Sequence, residues 1–195
     1  MAAEYTCLRP GPMATSTFRH AGVHGSLLAE IEPTGARRQD MTRPLSGGCT
    51  CGAIRYRLTS PPMFVNCCHC TECQRQTGSA FVINAVIETD RIELVSGTPV
   101  AIATPTTSGN PHDIYRCPIC QIALWSDYGR RPYVRFLRVT TLDNPAALPP
   151  DAHIFTSTSQ PWVRLPETTP AFTEYYDMKT QWPAESLARR RAASQ

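Results

Sequence analysis

Gly47-Gly48-Cys49-Thr50-Cys51-Gly52 and, with 65 residues between the two pairs, Cys117-Pro118-Ile119-Cys120 are the stretches on which the reading of this chain turns. Zinc takes about four soft ligands in a tetrahedron, and a close cysteine pair on a tight turn supplies two thiolates at a fixed bite. Gly47, Gly48 and Gly52 relieve steric limits where backbone must curl round an ion. A redox pair is the competing reading of Cys117-x-x-Cys120, but such a motif precedes a helix in a βαβ context, and here strand-like residues flank it. One structural zinc held by Cys49, Cys51, Cys117 and Cys120 is expected. It would close a long loop and stabilise a small β domain.

Outward from these pairs the pattern is one of short strands. Ile54, Tyr56 and Leu58 alternate with Arg55 and Arg57, as on a half-buried strand. Residues 81–87 are apolar enough for a buried strand. Residues 92–95 and 100–104, joined by Ser96-Gly97-Thr98-Pro99, predict a hairpin. Residues 113–117 and 123–126 predict another, with the cysteine turn at its tip. In 133–142, Val134 and Phe136 alternate against Arg135 and Arg138, and 153–158 predicts a last strand. Only residues 71–77 and the segment after Pro183 read as helical. The expected class is mainly β, in small antiparallel sheets with zinc-ribbon-like knuckles and one or two short helices. The 18 prolines agree with loops and short strands.

The densest run of ligands is Cys67-Cys68-His69-Cys70-Thr71-Glu72-Cys73. Cys68 and Cys70 project to one side of an extended segment, and Cys73 reaches back from the first turn of a short helix. Three thiolates leave a fourth position for water, substrate or an outside thiol, which is the pattern of a catalytic zinc. Cys67 or His69 as fourth ligand would make a closed structural site instead. Adjacent residues do not readily turn both side chains to one ion, so Cys67 is the weaker candidate, and His69 reads as a supporting or packing residue. Glu72 reads as a surface residue, and Trp125 and Trp162 as core.

Composition narrows the classes. Nine cysteines in a chain with no basic-then-apolar start point to metal or redox chemistry rather than a disulfide framework, and no secretory signal is expected. No apolar run is long enough to span a membrane. The net charge is +3, Lys179 is the sole lysine, and the arginines are scattered without a basic stripe, so no nucleic-acid partner is expected. A cytoplasmic location follows, with the nucleus as second choice. Residues 1–44 read as a disordered leader, 45–177 as the zinc domain, and 178–195, with Arg189, Arg190 and Arg191, as a polar basic tail.

Gly47-x-Cys49-x-Cys51-Gly52, Cys68-His69-Cys70-x-x-Cys73, Thr77-Gly78-Ser79-Ala80-Phe81, Cys117-x-x-Cys120 and the later His153-Ile154-Phe155, Ser157 and Pro161-Trp162 together resemble the glutathione-dependent formaldehyde-activating enzyme family, also called centromere protein V-like. The resemblance covers roughly residues 46–177. It implies a β-tent fold and two zinc ions, the second at Cys68, Cys70 and Cys73 where glutathione would engage. It also implies reversible joining of glutathione and formaldehyde, which is carbon–sulfur lyase chemistry. Two positions depart from the family pattern: Gln121 stands where Gly follows the last cysteine, and Gln74 where Arg follows the third cysteine of the second site.

The chemistry read from the residues agrees. Zinc ionises a coordinated thiol and polarises a carbonyl, so Cys68, Cys70 and Cys73 are the catalytic candidates, with glutathione or another small thiol and a small aldehyde as partners. Arg75 is the expected cation, offsetting thiolate charge or binding a glutathione carboxylate. A non-catalytic zinc-stabilised binding module, a chaperone-like regulator and a thiol-redox or metal-buffering protein stand as alternatives.

Overall fold

The computed structural model describes residues 45–195; the expected leader, with Cys7, His20 and His24, lies outside them. Strand β1 (Leu45–Gly48) turns through the first cysteine pair into β2 (Arg55–Leu58). The chain continues through β3 (Phe64–Cys68), helix α1 (Thr71–Thr77), β4 (Val82–Glu88) and β5 (Ile92–Ser96). Then come β6 (Val100–Ala103), β7 (His112–Arg116), β8 (Ala123–Tyr128), β9 (Val134–Arg138) and β10 (Ala152–Ile154). Helices α2 (Met178–Gln181) and α3 (Ala184–Ala193) close the described chain. The class is mainly β, as expected from the strand periodicity.

Two sheets result. One has the order β1-β2-β5 and the other β10-β3-β4-β9-β8-β7-β6, antiparallel except for the parallel pair β10–β3. The larger sheet exceeds the small antiparallel sheets anticipated. The hairpin around Cys117 and Cys120 forms as read, with β7 paired to β8. The predicted 92–104 hairpin does not form: β5 pairs with β2, and β6 pairs with β7 in the other sheet. Gly97, at φ +68°, lets the chain cross between the sheets, where a Cβ would collide with the Ala53 carbonyl. The last strand is shorter than predicted, because Phe155 enters the left-handed region at φ 55° and ends the extended run.

The sheets enclose one core, in which Tyr56 and Leu58 from the small sheet meet Val65, Ala85, Ile87 and Leu137 from the large one. The other face of the large sheet carries Phe64, Cys68, Val86 and Val134 beneath Tyr176 and Trp182. Strand β3 is therefore buried along its whole length, which is why its sequence shows no alternation. Both faces being covered also explains Arg135 and Arg138, whose predicted exposure the structure corrects: both are buried, and Arg135 pairs with Asp127 at 3.2 Å and lies over the Tyr115 ring. Trp125 is core as expected, whereas Trp162 is 69% exposed.

The stretch expected as a basic tail is packed. The Trp182 ring stacks on Phe64 at 5.4 Å, and its Nε1 donates to the Tyr176 hydroxyl, which donates to Asn66 Oδ1 at 2.8 Å. Ser186 donates to the Met63 carbonyl, and Arg189 makes a two-point ion pair with the buried Glu88 at 2.8 and 2.6 Å. Only a partner made by the tertiary fold turns this charged helix inward. Truncating such an aromatic costs about 3 kcal/mol, so Trp182→Ala is expected to lower unfolding free energy by about that amount in urea titration.

Candidate metal centres

Both cysteine pairs of the first cluster sit on similar turns. Cys49 N–H donates to the Ile54 carbonyl at 3.1 Å and Cys117 N–H to the Ile122 carbonyl at 3.0 Å. Each turn contains a residue at positive φ: Gly52 at 77° in one and Gln121 at 62° in the other. Gln121 thus holds a conformation that glycine adopts at lower cost, and its carbonyl accepts from Arg116 while its amide donates to the Pro118 carbonyl. Brought together from two sheets, the sulfurs of Cys49, Cys51, Cys117 and Cys120 lie within 4.8 Å of one another. Cys49 and Cys51 are 3.5 Å apart and Cys51 and Cys117 3.7 Å. A zinc–sulfur bond of about 2.3 Å puts tetrahedral sulfurs about 3.8 Å apart, so the donor set fits that ion. The Ile54 N–H donates to Cys49 Sγ at 3.3 Å, support that a thiolate accepts.

The second cluster is built by one short segment. Cys68 ends β3, Cys70 is the N-cap of α1 and accepts from Cys73 N–H at 3.4 Å, and Cys73 sits in the first turn. Their sulfurs also lie within 4.8 Å of one another. Thiols this close cannot all ionise without a counter-cation. Hydrogen bonds from Cys68 and Cys73 hold Cys70 down at about 2, while Cys68, bonded to Cys70 and buried, is pushed far up. Three sulfurs in this state form a donor set for a soft cation.

Cys67 is kept out by the strand pleat, which turns neighbouring side chains to opposite faces. It joins a third group instead, with the buried His69 and His153. His69 Nε2 and His153 Nδ1 share a hydrogen bond of 3.0 Å, and Cys67 Sγ lies 3.6 Å from the same Nε2. Burial lowers the pKa of both histidines, and the neighbouring His153 adds to the effect at His69.

Gln74 moors the segment. Its Nε2 donates to the carbonyls of His69 and Thr158, and its Oε1 accepts from Gln160. His69 N–H adds a bond to the Ile154 carbonyl at 3.0 Å. Glu72 is half-buried and accepts from the Thr107 N–H and hydroxyl.

All three sulfurs line a cavity of about 600 Å³ on the outer face of the large sheet. The structure leaves Arg75 exposed and away from its lining. Arg138 occupies the place expected of it. Arg138 is 5% exposed, donates to Asn84 Oδ1 at 2.7 Å and Gln76 Oε1 at 3.2 Å, and has a buried Nε with no partner. Burial pulls its pKa down, and the sulfurs of Cys73 and Cys68 beside it push it back up. Among the described residues no carboxylate pairs with it. A guanidinium cannot shed its proton, so thiolates at this cluster, ionised by a bound cation, would serve as its counter-charge. Sequence reading missed this residue, whose only signal was an arginine inside an apolar strand. It also assigned nothing to His112, which lines the cavity and whose pKa burial lowers.

A family model described as "Glutathione-dependent formaldehyde-activating enzyme" matches residues 44–158. The chain is 28% identical over 126 residues to a Halomonas elongata protein named "Putative glutathione-dependent formaldehyde-activating enzyme", covering 62% of this chain and 80% of that one. A crystal structure of a Rhodobacter sphaeroides protein is similar at 20% identity and a TM-score of 0.39, over 51% of this chain and 88% of that chain.

Three hydrogen bonds at about 0.5–1 kcal/mol each make Gln74→Ala expected to cost about 2 kcal/mol in urea unfolding. Chelator competition is expected to show weakened metal retention at Cys68, Cys70 and Cys73, with the first cluster unaffected.

Proposed function

The chain belongs to the glutathione-dependent formaldehyde-activating enzyme family, and on that premise we propose that it is a zinc-dependent carbon–sulfur lyase-type enzyme, joining and separating a glutathione-type thiol and a small aldehyde. The contrast between the two clusters carries this reading. Four sulfurs make a closed set, whereas Cys68, Cys70 and Cys73 are three donors facing a cavity. Closed four-donor sites are structural and three-donor sites with an open position are catalytic. Two zinc ions per chain are proposed accordingly, in a protein of the cytoplasm; among the described residues no helix is long and apolar enough to cross a membrane.

At the second site a bound zinc ion supplies Lewis acidity and keeps a thiol ionised at neutral pH. In the cleavage direction the adduct hydroxyl releases its proton to water in the cavity, its oxygen closes to a carbonyl, and the carbon–sulfur bond breaks with its electron pair left on sulfur as a thiolate. Three cysteinates already leave the site negative, and a further thiolate adds to that charge. Arg138, held by Asn84 and Gln76, offsets it in a place where low dielectric makes the attraction strong. This is the role that Arg75 was expected to take. Gln74 keeps the Cys68–Cys73 segment from relaxing as charge builds.

Zinc stoichiometry tests the reading. Cys70→Ser is expected to fold normally, to bind one ion fewer than the native chain, and to lose thiol–aldehyde activity by about a hundredfold or more. A collapsed fold would make the second site structural and favour a binding module. Zinc-edge absorption is expected to report a new sulfur ligand when glutathione is added. Removing the cation disfavours thiolate, so the thiol pKa rises. Arg138→Gln is therefore expected to move the acid limb of the pH–rate profile upward by about one unit, which corresponds to about 1.4 kcal/mol.

A further inference from the structure

The cavity beside the three sulfurs is larger and more apolar than a one-carbon aldehyde requires. A hydroxymethyl group adds one carbon and one hydroxyl to the thiol sulfur, and glutathione itself ends in charged groups. Neither accounts for the wall made by Phe136, Ile154, Phe155, Tyr175, Met178 and Trp182. This wall begins at the sulfurs, since Ile154 is the register partner of Cys68. Cys70 and Cys73 pack against the same apolar cluster as Phe155 and Met178. Tyr175 remains 45% exposed although it stacks on Tyr176 at 4.6 Å. Apolar surface left open in a concavity next to reactive groups is ligand surface. The cavity also holds two further arginines, Arg131 and Arg190, suited to a ligand's carboxylates.

Tyr175, Met178, Trp182 and Arg190 all lie beyond residue 158, outside the span that matches the family model. The wall is therefore completed by a part of the chain that the family match does not describe. We propose that this site takes thiol adducts of aldehydes bearing an apolar alkyl or aryl group. The apolar substituent lies against Phe155, Tyr175 and Met178, and the carboxylates of the thiol carrier lie at Arg131 and Arg190. The proposal rests on the glutathione reading and names the substrate class within it. The chemistry is unchanged: the carbon–sulfur bond breaks, the hydroxyl proton leaves, and the aldehyde and thiolate separate.

Calorimetry on the zinc-loaded full chain with glutathione, S-methylglutathione and S-hexylglutathione tests it, because the thioethers imitate the sulfur of the adduct without turning over. S-hexylglutathione is expected to bind about tenfold or more tighter than S-methylglutathione, since each added methylene is removed from water. Met178→Asp is expected to cut that ratio below about threefold, and Tyr175→Ala, at a more exposed position, to lower it without disturbing the fold seen by circular dichroism. Glutathione binding with equal affinity for the two thioethers would overturn the apolar-aldehyde proposal and leave the lyase reading standing. A failure of all three compounds to bind would remove the glutathione reading and this proposal with it.

Discussion

Four sulfurs brought within 4.8 Å of each other from two different sheets are the constraint on which the architecture depends. The small sheet has three short strands, and it meets the large one at a junction where Tyr56 and Leu58 pack into the shared core. Around that junction the Tyr56 hydroxyl donates to Thr141 at 2.6 Å, Arg55 reaches Asp143 through two bonds, and Gly47 bridges Leu142. Gly47 has no room for a side chain there, since an added Cβ would fall 2.5 Å from the Thr141 carbonyl. The exposed Arg55–Asp143 pair contributes little by itself. A metal ion shared by both tips would lock the whole set, because it closes a long loop that the modest core between the sheets would otherwise have to hold.

Once that junction is set, the opposite face of the large sheet is free to carry chemistry. Its central strands present Asn66, Cys68, Asn84 and Arg138 on one side, with Cys70 and Cys73 folded over them by a short helix. Electrostatics explains the combination. An arginine that is 5% exposed, without a carboxylate, is costly unless anionic groups lie beside it. Three crowded thiols are equally hard to ionise without cations. Each group supplies what the other lacks, and a soft cation would complete the balance.

Much of this was legible in the chain. Alternation of Ile54, Tyr56 and Leu58, the helix at 71–77 and the hairpin around Cys117 all formed as read, because each depends on local periodicity or turn chemistry. Gln121, which departs from the glycine of the resembling family, proved to occupy a left-handed position, so the family's preference has a backbone cause. The misreadings share one origin. Ser96-Gly97-Thr98-Pro99 has the composition of a hairpin turn, but pairing partners 36 positions apart in sequence, such as Arg57 and Glu93, outcompeted the local one. Arg135 and Arg138 looked like the wet side of a strand and were buried, because they lie on opposite faces of β9 and both faces are covered.

The sequence by itself determined the donor sets. Spacings of two and three residues limit how far apart two sulfurs can be, so Cys49-x-Cys51, Cys117-x-x-Cys120 and Cys68-x-Cys70-x-x-Cys73 stand out as candidate donor sets, and the fold groups the sulfurs of each set. Tertiary structure alone decided which cation faces the second set and what can lie beside it. Arg138 rather than Arg75 reaches the sulfurs, and Tyr175, Met178 and Trp182 come from over a hundred residues away to wall the cavity. Such partners are chosen by the pairing of β4 with β9 and by the packing of the last helices onto the sheet. Those are long-range contacts, and no local spacing encodes them.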